Sequence, residues 1–278
     1  MFPLIATVSQ AIGVFVDKII LTRKQVTLHV YIPILFLFLC LTVGVLFPFL
    51  GWVNADFFKP LYLLLFLAMI VAAIIWNLFY YKGLQSEKIH EYELIVMFQP
   101  LLTIILATLL FKGERNIHIV IASVIAALAL IISHIRKQHF ELSPGAWSLV
   151  WAVIFMSIEL IILKELLNVF SPVALYFFRT GILFIFFFLY YRPQVNKIAP
   201  ANLYLILASA ALGTVQMVAK FYGFEAYGVV YTSLILILSP LLVYALSMFL
   251  LHERLKLRTV VSFLVILGCI VYATTFGK

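Results

Sequence analysis

Pro100-Leu101-Leu102, running on to Phe111-Lys112-Gly113-Glu114-Arg115, returns later as Pro240-Leu241-Leu242 running on to Leu250-Leu251-His252-Glu253-Arg254. The spacing from proline to glutamate differs between the copies by one residue. About 140 residues separate them, half of this 278-residue chain. Around them, Asp17-Lys18-Ile19-Ile20-Leu21 is echoed by Glu159-Leu160-Ile161-Ile162-Leu163, and Tyr81 by Tyr222. An internal repeat constrains a fold before any local pattern does, because each copy should build the same unit.

The solvent for this repeat is lipid. The chain is 65% hydrophobic and 11% charged, against about 45–50% and about 25% in soluble domains. A water-soluble domain of this size has no interior large enough for that much apolar surface. The net charge of +8 sits mostly in short connections and forms no basic stripe, so it suits a bilayer surface and not a nucleic acid. Cys40 and Cys269 stand singly within apolar stretches, as small buried residues do. The first residues carry no basic cluster and no small-x-small cleavage pattern, and are read as a retained membrane helix. No His-Glu-x-x-His, Walker loop or Gly-x-Ser-x-Gly occurs. Neither an enzyme, nor a cofactor, nor a metal centre is expected.

About 20 apolar residues cross the hydrocarbon as a helix. Ten segments qualify: 3–21, 31–50, 61–81, 92–111, 117–135, 146–166, 173–191, 203–222, 229–251 and 259–276. The expected fold is an all-α membrane protein of ten transmembrane helices in two five-helix repeats, residues 1–138 and 143–278. An odd number of crossings per repeat makes the second copy enter from the opposite side. The repeats are then inverted, with a substrate site near the midplane between them.

Two five-helix halves, a proline in the fourth helix of each, and the Gly113-Glu114-Arg115 and His252-Glu253-Arg254 turns resemble the drug/metabolite transporter superfamily, and within it the EamA-type transporters. The resemblance covers the whole chain. It implies a secondary transporter in a prokaryotic inner membrane, exporting or exchanging amino acids or other small metabolites by alternating access. It also implies a proton or counter-substrate as coupling partner. Two departures stand out. An arginine common in the second helix of such proteins has its match only in the second half, at Arg179, and the usually basic connection after helix 2 offers only Asp56 and Lys59.

Polar side chains in membrane helices face a cavity or a partner, because lipid penalises them. The expected substrate-binding set is Trp76, Asn77 and Tyr80 on helix 3, Gln99 on helix 4, Trp151 on helix 6, Gln216 and Lys220 on helix 8, and Tyr231 on helix 9. For the tyrosines, tryptophans and Lys220, an interfacial anchoring or snorkelling role is the competing reading. Glu93 is the candidate coupling carboxylate. Pro100 and Pro240 are expected to bend their helices beside the cavity. Glu114 and Glu253 are expected to pin the turn into the following helix, by a dipole contact or an ion pair with the adjacent arginine. Asp17 and Glu159, near helix ends, are explained as well by solvation or packing as by function.

Two other function classes compete with metabolite transport. Lipophilic-cation efflux would use an intramembrane carboxylate and aromatics, and Lys220 argues against it. A membrane-embedded enzyme or lipid-binding protein would need a cluster of His, Asp or Glu at one interface, which does not stand out. Orientation gives two conflicting expectations. The connections after helices 1, 3, 5, 7 and 9 hold 11 Lys and Arg and the opposite side 5. By the positive-inside rule that puts the termini outside, whereas the resemblance implies cytoplasmic termini.

Overall fold

The computed structural model describes residues 1–22, 27–86, 95–134, 143–193, 200–243 and 257–277. Glu93 and Glu253 lie outside the described residues. The described chain is helical, with the helices α1 (Phe2–Thr22), α2 (Leu28–Leu50), α3 (Pro60–Ser86), α4 (Phe98–Leu110), α5 (Ile117–His134), α6 (Pro144–Leu166), α7 (Pro172–Tyr191), α8 (Pro200–Tyr227), α9 (Val229–Leu236) and α10 (Leu257–Phe276). Among the described residues, five helices are long and apolar enough to cross a membrane, and five shorter ones are also apolar. With the composition, this makes the chain an integral, multi-pass membrane protein.

Local sequence sets the helix starts. Ser143 and Ser171 sit before Pro144 and Pro172, and their hydroxyls accept from Ala146 N at 3.0 Å and Ala174 N at 3.2 Å. Proline in the first turn loses nothing, because its missing N–H would have no helical partner there. Later prolines act differently. Backbone turns at Met97 and Ile237, three residues before Pro100 and Pro240, interrupt the helical paths at corresponding points of the two copies. Both turn residues keep right-handed dihedrals, φ −62° and ψ −20° at Met97, φ −58° and ψ −22° at Ile237. The breaks are therefore shallow.

The most extensive packing is of α3 on α6, α1 on α8, α2 on α7 and α5 on α10. In lipid, burying apolar surface gains little by itself, so such pairs are held by close contact and polar links. A Cβ at Gly83 would lie 2.4 Å from Leu149 Cγ, so only glycine lets α3 approach α6 there. Thr42 and Thr214 hydroxyls meet at 2.6 Å between α2 and α8.

One end of the bundle is closed by two clasps. In the first, the link after α2 pairs with the link after α6. Asn54 N donates to Val169 O at 2.8 Å, Ser171 N to Trp52 O at 3.0 Å, and Val53 bridges Phe170. Phe170 packs beneath it against Phe57 and Phe66. In the second, the Glu114 carboxylate accepts from Val229 N at 2.7 Å and Val230 N at 3.0 Å. This corrects the expectation for Glu114, which caps a helix of the other half and not the one that follows it. The cause is Gly228. Its φ of 83° starts α9 without a side-chain cap of its own, leaving N–H groups for a carboxylate. Arg115 turns back instead, donating to Thr108 O at 3.0 Å and Leu109 O at 2.8 Å at the end of α4.

Candidate functional site

A cavity of about 200 Å³ lies among α1, α2, α3, α6, α7 and α8, with Gln99 of α4 and residues 239–243 beyond α9. Its wall includes Trp76, Asn77, Tyr80, Gln99, Gln216, Lys220 and Pro240. Those expected residues from both halves thus share one space. Pro100 is half-buried beside Gln99 and does not line it. Two further expected residues lie elsewhere. Trp151 is 47% exposed, on an outward face of α6 with Trp147 at 50%. Its ring is near Phe155. It belongs on the lipid side, where an indole serves as an anchor. Tyr231 follows the Gly228 turn in the first turn of α9. Its hydroxyl meets Thr274 Oγ1 at 3.3 Å at the closed end, beside Glu114.

The densest polar contacts in the cavity involve residues outside the expected set. Arg179 Nε donates to Glu159 Oε1 at 2.5 Å and Arg179 Nη2 to Glu159 Oε2 at 3.3 Å. Trp76 Nε1 donates to Glu159 Oε2 at 2.5 Å, and the Arg179 guanidinium lies 5.8 Å from the centre of the Trp76 ring. Glu159 and Arg179 are buried, at 1% and 2% exposure. A second carboxylate, Asp17, accepts from Tyr31 Oη at 2.6 Å and from Ser209 Oγ. Solvation at a helix end accounts for neither. The available signal was the repeat itself, since Asp17 and Glu159 correspond between the copies.

Three cavity residues carry unused polar capacity. Asn77 Nδ2 donates to Ala73 O at 2.7 Å, which fixes the amide orientation. Its Oδ1 is buried and accepts from nothing among the described residues. Gln10 Oε1, also on the wall, is in the same condition. Lys220 is 7% exposed, forms no ion pair among the described residues, and sits 5.7 Å from the Phe224 ring centre. Burial this deep rules out snorkelling to the interface. By contrast Gln99 is committed, donating to Thr103 Oγ1 at 2.9 Å. Tyr80 stands edge-on between Trp76 and Tyr81. Among the described residues no group of three His, Cys, Asp or Glu is placed to hold a metal ion.

Comparison with known proteins adds two findings. A solved crystal structure matches 99% of this chain and 95% of its own, with a TM-score of 0.77 and 14% sequence identity. At that identity the likeness is one of fold. No curated protein matches the chain in sequence. Residues 143–275, just under half of the chain, match the model of the EamA-like transporter family, which is consistent with the drug/metabolite transporter superfamily.

Proposed function

We propose that this protein is a secondary transporter, an exporter or exchanger of a small polar metabolite of the amino-acid class, in a prokaryotic inner membrane. It works by alternating access at the central cavity. Its architecture is ten membrane helices in two inverted repeats, residues 1–138 and 143–278. The packing supports this. Exchanging each helix for its counterpart turns the α1–α8 contact into the α6–α3 contact and the α1–α9 contact into the α6–α4 contact, and maps α2–α7, α4–α9 and α5–α10 onto themselves. Such interchange is expected of two copies related by a two-fold axis in the membrane plane. The matched turns at Met97 and Ile237 support it too.

The observation that carries the substrate class is complementary unused capacity. Lys220 is a buried cation without a carboxylate of its own, and Asn77 Oδ1 is a buried acceptor without a donor. An α-amino acid supplies both missing partners, a carboxylate to Lys220 and an ammonium to Asn77. Trp76 and Tyr80 offer apolar faces for its side chain. Both clasps at the closed end join one half to the other, so opening that end requires the halves to part. Lipophilic-cation efflux, the alternative, draws on the aromatics and Asp17, but Lys220 opposes a cation in the same space.

The test is a thermal-shift screen of purified protein against amino acids, nucleosides, sugars and quaternary amines, followed by uptake of each hit in proteoliposomes. Stabilisation by a zwitterion with saturable uptake is the expected result. Stabilisation by quaternary amines alone would favour the alternative.

A further inference from the structure

We propose that Asp17 is the proton-binding group of this protein, taking up and releasing a proton through the cavity while Glu159 is paired with Arg179. Its purpose rests on the transporter reading, but the site stands on its own geometry. The two carboxylates occupy matching positions and have matching surroundings. Each accepts from the second helix of its own half, Asp17 from Tyr31 and Glu159 from Arg179. Each also accepts from the third helix of the other half, Asp17 from Ser209 and Glu159 from Trp76. The copies differ in one respect. The donor to Glu159 carries a permanent positive charge, whereas the donor to Asp17 is a neutral phenol.

That difference divides the labour. The Arg179 guanidinium gives Glu159 a fixed counter-charge in direct contact. Asp17 has only hydroxyls. The groups facing it are Tyr31 from α2, backed edge-on by Tyr81 of α3 at 5.7 Å with Tyr80 beyond, and Ser209 from α8. Ser239, past the end of α9, lies on the same cavity wall. Lys220 is on α8 as well, but eleven residues from Ser209, or about 16 Å along the helix axis. No described Lys, Arg or His forms an ion pair with Asp17. A carboxylate with no cation in contact, in a membrane interior, is neutralised by a proton or a bound cation. The proton is favoured here. Tyr31 and Ser209 point hydrogens, not lone pairs, at the carboxylate, whereas a metal cation requires several oxygen lone pairs. The step is a simple addition. Cavity water delivers a proton to a carboxylate oxygen, the new O–H donates to one of the two hydroxyl oxygens, and that hydroxyl turns its own hydrogen away. No electrons move and no other reactant is needed.

The experiment is pH-difference infrared spectroscopy on protein in liposomes, with no solute added. A carbonyl-stretch band of a protonated carboxylic acid should appear on acidification, be lost in Asp17→Asn, and shift in Ser209→Ala, the milder variant that keeps the test open if Asp17→Asn misfolds. Replacing choline chloride by sodium chloride at fixed pH should leave the band unchanged. A band that persists in correctly folded Asp17→Asn or is untouched by Ser209→Ala would overturn the assignment. So would the absence of any such band, or its removal by sodium. Solute uptake by proteoliposomes without this band would sink the proton site and leave the transporter reading standing. The band without uptake of any solute would do the reverse.

Discussion

At the scale of single residues, charge pairing separates the groups that hold the fold from those free to act. Glu159 and Arg179 have side chains only 2% and 3% exposed, so removing one partner strands the other charge, at a cost of about 3–5 kcal/mol. Arg179→Met should therefore lower the melting midpoint in detergent sharply. Arg179→Met with Glu159→Gln should recover most of the loss, which a thermal double-mutant cycle would reveal; additive losses would refute the coupling. Lys220 has the opposite character. Lys220→Ala should change thermal stability little but weaken zwitterion binding about tenfold or more, the worth of one charge-assisted contact. Titration of purified protein with the screened ligand checks this, and unchanged affinity removes Lys220 from the substrate site. Sequence reasoning singled out Lys220, Asn77 and Gln216, which lie on the cavity wall, because a polar residue in an apolar helix is conspicuous. It undervalued Asp17 and Glu159 because helix ends were taken for membrane edges, when α1 and α6 carry these residues to the cavity wall. Trp151 and Tyr231 went astray for a related reason. An aromatic ring suits both lipid and cavity, and residue type alone does not tell the two faces of a helix apart.

At the scale of elements, the turns after helices were legible in kind and misassigned in partner. A carboxylate following α4 was expected to meet a helix N-terminus, and Glu114 does so. The recipient is α9, because Gly228 leaves that terminus without a cap of its own, and no local pattern reveals a contact spanning more than a hundred residues. Losing such a cap typically costs about 1 kcal/mol. Glu114→Ala should lower the melting midpoint by about 2–4 °C and raise amide exchange at Val229 and Val230, measured by hydrogen–deuterium exchange with mass spectrometry. Unaltered exchange there would show that the clasp contributes nothing to holding the closed end. Of the two prolines expected to bend their helices beside the cavity, Pro240 lines it and Pro100 does not. A missing N–H perturbs the backbone within one turn, and both turns lie three residues ahead of their proline.

At the scale of the whole molecule, composition and the apolar segments carried the reading to a multi-pass helical membrane protein, because lipid admits few solutions for a chain this apolar. The pairing of α1 with α8 and α3 with α6 was not legible, since helix contacts in lipid depend on small residues such as Gly83 and on polar links more than on hydrophobic periodicity. Orientation is a whole-molecule property that the proposed inverted repeat leaves open, as two inverted copies would make a body nearly symmetric across the membrane. What breaks the symmetry is the placement of positive charge. In the proposed ten-helix topology, sequence assigns Arg23, Lys24, Lys82, Lys88, Arg136, Lys137, Arg192, Lys197, Arg254, Lys256 and Arg258 to connections of one side, and Lys59, Lys112, Arg115, Lys164 and Lys278 to the other. On the sparse side some of the charge is already engaged. Lys59 pairs with Asp56 at 3.0 Å, Lys164 donates to Phe224 O at 2.5 Å, and Arg115 is turned onto the end of α4. By the positive-inside rule the richer side is expected to face the cytoplasm. The closed end, which carries the Glu114 clasp, then faces outward together with the C-terminus. Fusions at Lys278 measure this directly. Alkaline phosphatase should be active and green fluorescent protein dark, and the reverse pattern would place the clasp on the cytoplasmic side.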